Sequence, residues 1–246
     1  MKKKPTETAP TGADSTAFEI VEAYKTLRAN LLFSLSSAEK KIVVVSGSEP
    51  GAGKSTTCSN LAVLMAQTGS QVLLIDADLR KPTMHRVFHV NRQDGLTRLL
   101  LNMGDVENSI IKEVAPHLDL LPSGPIPPNP SELLGSVRMA RLLHKLSEKY
   151  EYIFIDTPPI NVVTDGLILS SRAAGTVLVA RQNSTTYDEL SEAVEKIKNV
   201  NGNLLGVVIN GYTCAAGERP KRYYKRYYGY HYGYGHEYEP KSGSQD

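Results

Sequence analysis

Short apolar runs that are largely unbroken by polar residues recur along the chain. Six of them are rich in Val, Ile and Leu, at 42–45, 72–75, 118–121, 152–155, 176–180 and 204–209. Runs without regular alternation are typical of strands that are buried on both faces of a sheet. Segments with apolar residues at helical spacing separate several of these runs, at 55–68, 131–150 and 187–200. The alternation of strands and helices predicts an α/β fold with a doubly wound, mostly parallel sheet.

A further helix is predicted before the first strand. Between residues 18 and 33 the apolar residues recur at helical spacing: Ile20, Tyr24, Leu27 and Leu31. The other faces of this segment carry Glu22, Lys25 and Arg28. The segment is therefore amphipathic, and we expect it to pack outside the sheet.

Composition fits a single globular domain with short extensions. The chain has 246 residues, of which 41% are hydrophobic and 22% charged, with 19 Gly, 14 Pro and 2 Cys, and this composition excludes a collagen, a coiled coil and a disulfide scaffold. Residues 1–15 are rich in Lys, Pro and Thr and are predicted to form a disordered leader. The folded domain is expected to cover 16–216, and 217–246 are expected to form a flexible tail.

The sequence lacks signals for the membrane, for export and for structural metals. No stretch approaches the ~20 consecutive apolar residues of a membrane-spanning helix, and the N-terminus lacks the apolar core of a signal peptide. The protein is therefore expected to be cytoplasmic. Cys58 and Cys214 form no C-x-x-C pair, and the six His show no ligand spacing. Two reduced thiols are expected, and Mg²⁺ is the only cation that we propose.

Tyrosine and positive charge are concentrated in the tail. Eight of the 13 Tyr lie there: Tyr223, Tyr224, Tyr227, Tyr228, Tyr230, Tyr232, Tyr234 and Tyr238. The segment 218–246 holds 6 Lys and Arg against 4 Asp and Glu, so the whole net charge of +2 falls in it. Basic residues interleaved with aromatic ones also suit single-stranded nucleic acid or an anionic membrane surface. Nucleic acid is disfavoured as a partner of the tail. The tail also lacks the aliphatic residues that would anchor it in a membrane.

A phosphate-binding loop is predicted between the first strand and the helix that follows it. The loop and the start of that helix contain Gly51, Ala52, Gly53, Lys54, Ser55 and Thr56. Backbone N–H groups of such a loop surround phosphate oxygens, the lysine reaches the β- and γ-phosphates, and the Ser55 hydroxyl can bind Mg²⁺. One departure from the usual spacing is that Ser48 stands where the first Gly is expected, with Gly47 one residue earlier. The motif predicts ATP and Mg²⁺ as ligands in a fold of the P-loop NTPase type.

Three carboxylates follow predicted strands and are candidates for the chemistry. Asp76 and Asp78 end one strand, and Asp156 ends another. The carboxyl ends of parallel strands open into the ligand crevice, so these side chains are expected beside the phosphate loop. Asp156 fits the Walker B role. Asp76 is either a second magnesium contact or the base that takes a proton from an attacking hydroxyl, and the sequence leaves open whether Asp76 or Asp78 is that base.

Taken in order, these motifs resemble the bacterial tyrosine kinases (BY-kinases) that govern capsule and exopolysaccharide export. The resemblance runs from about Glu22 to the C-terminus. It rests on five features: the Walker A loop 48–56; the Walker A′ segment Asp76-Ala77-Asp78-Leu79-Arg80-Lys81-Pro82, followed by His85 and Phe88; the Pro-rich stretch 124–134; the Walker B segment 155–159; and the tyrosine cluster.

The resemblance implies autophosphorylation of the tail tyrosines in trans, with Mg²⁺ and ATP, inside a ring of subunits. It also implies a separate membrane protein of the polysaccharide machinery that activates the kinase and recruits it to the inner face of the membrane, as in the split systems of Gram-positive bacteria. Asn210 is expected to touch adenine. Glu22, Lys25 and Arg28 are expected in the ring-forming helix, where Lys25 replaces the usual Arg and loses its bidentate fork.

Two other functions share these motifs. A partitioning-type ATPase would normally carry a signature lysine at position 49, where this chain has Glu49. A non-catalytic regulator that assembles with ATP would use the same nucleotide ligands as a kinase. The sequence does not identify which tail tyrosines are modified, which other proteins are substrates, how many subunits form the ring or which polysaccharide is controlled.

Overall fold

The structure is a computed structural model in which residues 12–212 are described, with side chains from residue 19. The chain divides into two units, Met1–Asn210 and Gly211–Asp246, and only residues 211 and 212 of the second unit are described. Residues 1–11 of the predicted leader and the predicted tail 217–246, with all eight of its tyrosines, lie outside the described residues.

One sheet forms the centre of the first unit, and seven strands belong to it within the described range: β1 (Lys41–Gly47), β2 (Val72–Asp76), β3 (Ile111–Ala115), β4 (Leu118–Leu121), β5 (Tyr152–Asp156), β6 (Gly175–Arg181) and β7 (Leu204–Asn210). Their order is β3-β4-β2-β5-β1-β6-β7. All neighbours pair in parallel except β3 and β4. The predicted α/β fold with a doubly wound, mostly parallel sheet is therefore confirmed.

Helices connect the strands and cover both faces of the sheet. In the described part of the chain they are α1 (Gly12–Ser34), α2 (Lys54–Ala66), α3 (Met84–Val87), α4 (Leu96–Leu100), α5 (Val106–Ser109), α6 (Pro130–Gly135), α7 (Val137–Ser147), α8 (Asp165–Ser170) and α9 (Tyr187–Asn199). One apolar layer joins α2 and the end of α1 to the sheet, and a second joins α4 and α7 to it. Burial of these two layers provides the main stabilisation of the fold.

The edge strands depart from the sequence prediction. β3 was not predicted, because its residues Ile111–Ala115 include exposed Lys112 and Glu113 and form no continuous apolar run. β7 was predicted to be buried on both faces, but Val207 is 40% exposed and Ile209 61% exposed. Both differences have one cause: an edge strand has a neighbour on one side only, so its outer face is not fully covered.

The predicted helix 131–150 is two helices. Ser136 has extended backbone angles between α6 and α7. Its hydroxyl accepts the N–H of Met139 at 3.2 Å and donates to the carbonyl oxygen of Leu133 at 2.7 Å. A serine in this position caps one helix and ends another, which periodicity alone does not reveal.

The N-terminal helix α1 packs on α2. It begins at Gly12, so residues 12–15, which the sequence placed in a disordered leader, are helical here. No proline occurs between residues 10 and 50, and this permits the longer helix. Leu31 is buried, and Arg28 Nη1 donates to the carbonyl oxygen of Leu64 in α2 at 3.0 Å.

Candidate active site

The carboxyl ends of β1, β2 and β5 meet at the centre of the sheet. Cα pairing places Asp76 opposite Asp156 and Asp156 opposite Val45. The loop that leaves β1 lies between Gly47 and α2. The strand register therefore brings the phosphate loop and two of the predicted carboxylates to the same edge, as the sequence analysis expected.

The phosphate loop depends on glycine backbone angles. Gly51 has φ +80° and Gly53 has φ +94°, both in the left-handed region that non-glycine residues rarely adopt. Gly53 precedes α2 and gives its first turn no side-chain cap. The first N–H groups of α2 consequently have no side-chain acceptor and suit an anionic ligand.

Lys54 lies inside the loop. The residue is 8% exposed, and its Nζ donates to the carbonyl oxygen of Glu49 at 3.3 Å. Burial lowers the pKa of Lys54, while the charges of Asp156, Asp78 and Glu49 act in the opposite direction. The ammonium group is therefore held among negative groups at the position where nucleotide phosphates are expected.

Asp156 is fully buried at the end of β5. Its Oδ2 accepts the hydroxyl of Ser55 at 2.7 Å, and its Oδ1 is buried without a hydrogen-bond partner. Burial raises the pKa of Asp156 well above its usual value; the charge of Asp76 adds to this rise, and the Ser55 hydrogen bond opposes it. One oxygen of this buried carboxyl group therefore has no hydrogen-bond partner in the described part of the protein.

Asp76 is the second fully buried carboxyl. Its Oδ2 accepts the backbone N–H of Thr83 at 3.1 Å and of Met84 at 3.0 Å, and its Oδ1 has no partner. Burial raises the pKa of Asp76 to about 6; the hydrogen bond from Met84 opposes the rise, and the nearby charge of Asp78 adds to it.

These residues fit a magnesium ion. Buried oxygens Oδ1 of Asp76 and Asp156 lack partners, and Ser55 supplies a hydroxyl between the loop and Asp156. Hard oxygen ligands of this kind suit Mg²⁺, with nucleotide phosphates and water completing the octahedron. In the described part of the chain, no group of three or more His, Cys, Asp or Glu is placed to hold a metal ion by itself.

Asp78 lies on the loop after β2 and is partly exposed. Its Oδ1 accepts the backbone N–H of Arg80 at 3.2 Å and of Lys81 at 2.9 Å. Asp78 also contributes negative charge at Lys54. The structure therefore places Asp78 and Asp156 where their charges act on Lys54, and it pairs Asp76 with Asp156 at the neighbouring strand end.

Asn210 contacts the phosphate loop at the end of β7. Its Nδ2 donates to the carbonyl oxygen of Ala52 at 3.0 Å. The same atom lies 1.9 Å from the position that a Cβ on Gly53 would occupy. Contact between Asn210 and adenine stays a prediction.

Two groups of residues at the site were missed in the sequence. Glu49 Oε1 accepts the hydroxyls of Ser184 at 3.1 Å and Thr185 at 2.9 Å, and Arg181 Nη1 donates to the carbonyl oxygen of Gly51 at 3.1 Å. These contacts brace the phosphate loop against the segment after β6. In the sequence, the only signal was the unusual glutamate at position 49.

The second group surrounds Arg80. Its guanidinium binds Asp165, which begins α8, and Ser131 of α6. Arg80 belonged to a recognised motif, whereas nothing in the sequence pointed to Asp165.

The three residues predicted for ring formation lie on α1. Lys25 Nζ pairs with Glu22 Oε1 at 2.7 Å, and Arg28 binds the backbone of α2. Their part in a ring stays a prediction.

No helix in the described range is long and apolar enough to span a bilayer.

Known proteins with similar sequences include tyrosine-protein kinases. A family model described as an AAA domain matches residues 40–205. The tyrosine-protein kinase YwqD of Bacillus subtilis strain 168 is 44% identical over 190 residues, which cover 77% of this chain and 80% of YwqD. The putative tyrosine-protein kinase CapB of Staphylococcus aureus is 35% identical, and the match covers 85% of this chain and 92% of CapB. The chain spans only 28% of the putative tyrosine-protein kinase EpsB of Ralstonia solanacearum, to which it is 39% identical over 208 residues.

Solved structures with the same fold include kinase domains. The chimerical protein CapA2B2 is 42% identical with a TM-score of 0.75, and the match covers 78% of this chain and 85% of that one. The kinase domain of the Escherichia coli tyrosine kinase ETK is 32% identical with a TM-score of 0.74, over 81% of this chain and 80% of that one. A plasmid partition protein from Borrelia burgdorferi, 22% identical with a TM-score of 0.59 over 76% of this chain and 87% of that one, shows a shared fold alone. With this degree of identity and coverage, and with a Walker loop that lies beside the carboxylates of two strand ends, the chain belongs to the bacterial tyrosine kinase family.

Proposed function

We propose that this chain transfers the γ-phosphoryl group of ATP to tyrosines of its own C-terminal cluster, with each tail phosphorylated by a neighbouring subunit. The observation that carries the proposal is that the charges of Asp78 and Asp156 act on Lys54, while Asp76 lies beside Asp156. A nucleotide-binding protein needs one acidic strand end for its metal, and this site has three carboxylates, of which two keep buried oxygens without partners.

The chemistry of the transfer assigns a task to each group. The phenolic oxygen of the acceptor tyrosine bonds to the γ-phosphorus, the bond from that phosphorus to the β–γ bridging oxygen breaks, and ADP leaves with the bond's electron pair. Asp76 or Asp78 accepts the phenolic proton. Lys54 and the N–H groups at the start of α2 stabilise the negative charge on the phosphates. Ser55 and Asp156, with Asp76 beside Asp156, would hold Mg²⁺, which would further neutralise that charge.

The acceptor and its delivery are the finer part of the proposal. The eight tail tyrosines lie beyond the described residues, in the part of the chain that comes after Asn210 in the sequence. We propose that subunits assemble into a ring through α1, with Glu22, Lys25 and Arg28 contributing. We further propose that a membrane-bound partner of the polysaccharide machinery activates the kinase and recruits it to the inner face of the membrane. In this way the kinase would regulate capsule or exopolysaccharide synthesis and export.

Contacts of Glu49 disfavour the partitioning-type alternative. That class uses a lysine at this position, whereas the Glu49 carboxylate binds Ser184 and Thr185 of its own chain. A carboxylate cannot replace a cation that neutralises phosphate charge, so this position braces the loop instead.

Phosphate mapping tests the proposal. The purified chain, with the activating segment of its partner, is incubated with Mg²⁺ and ATP, and phosphotyrosine is located by mass spectrometry. Lys54→Met serves as the inactive control, because methionine is unbranched and of similar size but carries no charge. Phosphate on the tail tyrosines of the wild type is expected, and its absence in the presence of the partner would defeat the kinase assignment.

Separate substitution of the two neighbouring carboxylates identifies the base. Asp76→Asn and Asp78→Asn are compared for binding of a fluorescent ATP analogue and for phosphoryl transfer. The base is the residue whose substitution removes transfer at least about 100-fold while nucleotide affinity changes little. Loss of nucleotide binding in step with transfer instead assigns a residue to the metal.

A further inference from the structure

We propose that Arg80, Asp165 and Ser131 form a clamp that fixes the Asp78 carboxylate at the phosphate site and so positions it for phosphoryl transfer. This inference rests on the proposed participation of Asp78 in the reaction. None of the three residues touches the reacting atoms, so they are positioning residues.

The side chains of the clamp form a closed set of contacts. Arg80 Nε donates to Asp165 Oδ2 at 2.9 Å, and Arg80 Nη2 donates to Asp165 Oδ1 at 3.0 Å. Arg80 Nη2 also donates to Ser131 Oγ at 2.9 Å, and that hydroxyl donates to Asp165 Oδ1 at 2.5 Å. The Asp165 side chain is fully buried, whereas that of Arg80 is 38% exposed. Both oxygens of a buried carboxylate are thus used to hold a single arginine in a bidentate geometry.

The clamp acts on Asp78 through the backbone. Asp78 Oδ1 accepts the N–H of Arg80 itself and the N–H of Lys81. When the arginine side chain is fixed, its own amide is fixed with it, and the direction of the Asp78 carboxylate follows. The guanidinium and the carboxylate are therefore coupled over two residues of chain.

The far end of the clamp is anchored to the strands that carry the rest of the site. Asp165 begins α8, and the next residue, Gly166, packs so closely that an added Cβ would lie 3.2 Å from Ser46 Oγ and 3.2 Å from Thr157 Oγ1. Ser46 belongs to β1, which leads into the phosphate loop, and Thr157 follows Asp156. The clamp therefore ties the Asp78 loop to the same frame that holds Lys54 and Asp156.

Ser131 gives a role to the Pro-rich stretch 124–134, which nucleotide binding left unexplained. Pro130 begins α6 and Ser131 is its second residue. The hydroxyl of Ser131 contacts both Arg80 and Asp165. The other end of α6 is held separately, because Arg172 Nη1 donates to the carbonyl oxygens of Leu134 and Ser136 at 3.1 Å. Arg172 thus offers a matched control: an arginine that binds the same helix with no link to Asp78.

The test compares Arg80→Ala, Asp165→Asn and Ser131→Ala with Arg172→Ala. For each variant, kcat for tyrosine phosphorylation, KM for ATP, affinity for a fluorescent ATP analogue and the thermal midpoint are measured on the full chain with its activating partner. Because a displacement of about 1 Å can cost about 100-fold in rate, Arg80→Ala and Asp165→Asn should lower kcat by about 10-fold to 100-fold. Their nucleotide affinity should change by less than about threefold, and Ser131→Ala should have a smaller effect on kcat in the same direction.

Non-additivity separates positioning from general destabilisation. The double variant Arg80→Ala/Asp165→Asn should be no slower than Arg80→Ala alone, because both substitutions open the same clamp. Arg172→Ala should lower the thermal midpoint and leave kcat within about twofold of the wild type. Additive losses of kcat, or an equal loss of kcat in Arg172→Ala, would overturn the clamp.

Asp78→Asn distinguishes failure of the clamp from failure of the proposed function. If Asp78→Asn loses transfer while Arg80→Ala and Asp165→Asn keep the wild-type kcat, the clamp alone is wrong. If Asp78→Asn itself transfers phosphate at the wild-type rate, Asp78 has no part in the reaction and the clamp falls with that assignment. Should Asp165→Asn fail to fold, Arg80→Ala and Arg80→Lys provide the same comparison at a partly exposed position, and wild-type kcat in both overturns the clamp.

Discussion

Gly53 is the residue of the phosphate loop at which a side chain is least tolerable. Its φ of +94° is left-handed, and a Cβ there would lie 1.9 Å from Asn210 Nδ2. Gly53→Ala should therefore weaken binding of a fluorescent ATP analogue by more than about 10-fold. Alanine costs about 1–2 kcal/mol in this conformation, and Asn210 must in addition leave the carbonyl oxygen of Ala52.

Gly69 provides the control for backbone strain alone. Its φ is +88°, and nothing lies within 4 Å of the position of an added Cβ. Gly69→Ala should lower the free energy of unfolding by about 1–2 kcal/mol and leave nucleotide affinity unchanged. Wild-type affinity in Gly53→Ala would contradict the tight approach of Asn210 to the loop.

Asp119 makes stability depend on pH at a site remote from the phosphate loop. It accepts hydrogen bonds from Lys112 Nζ at 2.8 Å, Tyr150 Oη at 2.6 Å and the N–H of Glu113 at 2.9 Å. Burial acts to raise the pKa of Asp119, but these hydrogen bonds outweigh it and lower the pKa below its usual value. The ionised carboxylate therefore stabilises the folded state above the unfolded pKa, and this contribution is lost as the pH falls through the folded pKa.

Asp119→Asn should accordingly cost about 1–3 kcal/mol of unfolding free energy at pH 7. The difference from the wild type should shrink as the pH falls below about 4. Urea unfolding at pH 7 and at pH 3.5 measures both values, with Glu195→Gln on exposed α9 as a control that should change little at either pH. A difference that stays constant over this range would exclude ionised Asp119 as its source.

At the scale of helices and strands, apolar strands could be predicted from the sequence, and the polar edge strand could not. All six apolar runs are strands: five are central strands that leave a continuous apolar signal, and the sixth, β7, is an edge strand that is apolar although partly exposed. Strand β3 left none, since Lys112 and Glu113 face solvent at the edge. The break at Ser136 was missed because a capping hydroxyl acts over three residues and does not change helical periodicity.

The candidate site divides in the same way. Asp76 and Asp156 could be placed beside Lys54 because strand ends of a parallel sheet meet at one edge. The partners of Arg80 and Glu49 could not be identified, since Arg80 and Asp165 are 85 residues apart and their contact depends on how loops pack. Local motifs thus predicted which groups meet at the candidate site, while the contacts that hold those groups required the structure.

The segment after β6 and the phosphate loop should behave as one element. Glu49 Oε1 accepts two hydroxyls, from Ser184 and Thr185. Glu49→Ala removes both contacts and should raise the Kd for an ATP analogue by about threefold to tenfold, which corresponds to the net contribution of one ordinary hydrogen bond. The effect should be on Kd rather than on kcat for bound nucleotide, because the two lost contacts hold the loop that binds the phosphates.

Isothermal titration with Mg²⁺ and a non-hydrolysable ATP analogue measures this change. Glu49→Gln keeps an acceptor oxygen for the two hydroxyls and should lie between Glu49→Ala and the wild type. Equal affinity in all three proteins would mean that the phosphate loop keeps its shape without this brace.

At the scale of the whole molecule, the net charge of +2 falls in the tail that carries the tyrosine cluster. Each phosphate adds about −1.5 to −2 charge at pH 7, so two modifications are enough to make the tail negative. The crevice that the tail is proposed to enter contains Asp78 and Asp156 near Lys54, with Asp76 beside Asp156. A positive tail is attracted to such a crevice when nucleotide is absent, and a phosphorylated tail is repelled from it.

This change of sign predicts that phosphorylation controls assembly. A variant with all eight tail tyrosines changed to Phe should stay oligomeric on addition of Mg²⁺ and ATP, because its tail keeps its positive charge. The wild type should shift to smaller species under the same conditions. Size-exclusion chromatography with light scattering, before and after ATP, measures both.

Tyr187→Phe is the matched control. Tyr187 is 83% exposed on α9, so this variant loses a surface tyrosine, keeps the cluster and should dissociate like the wild type. Dissociation of the eight-fold variant on addition of ATP would show that nucleotide, rather than tail charge, releases the subunits.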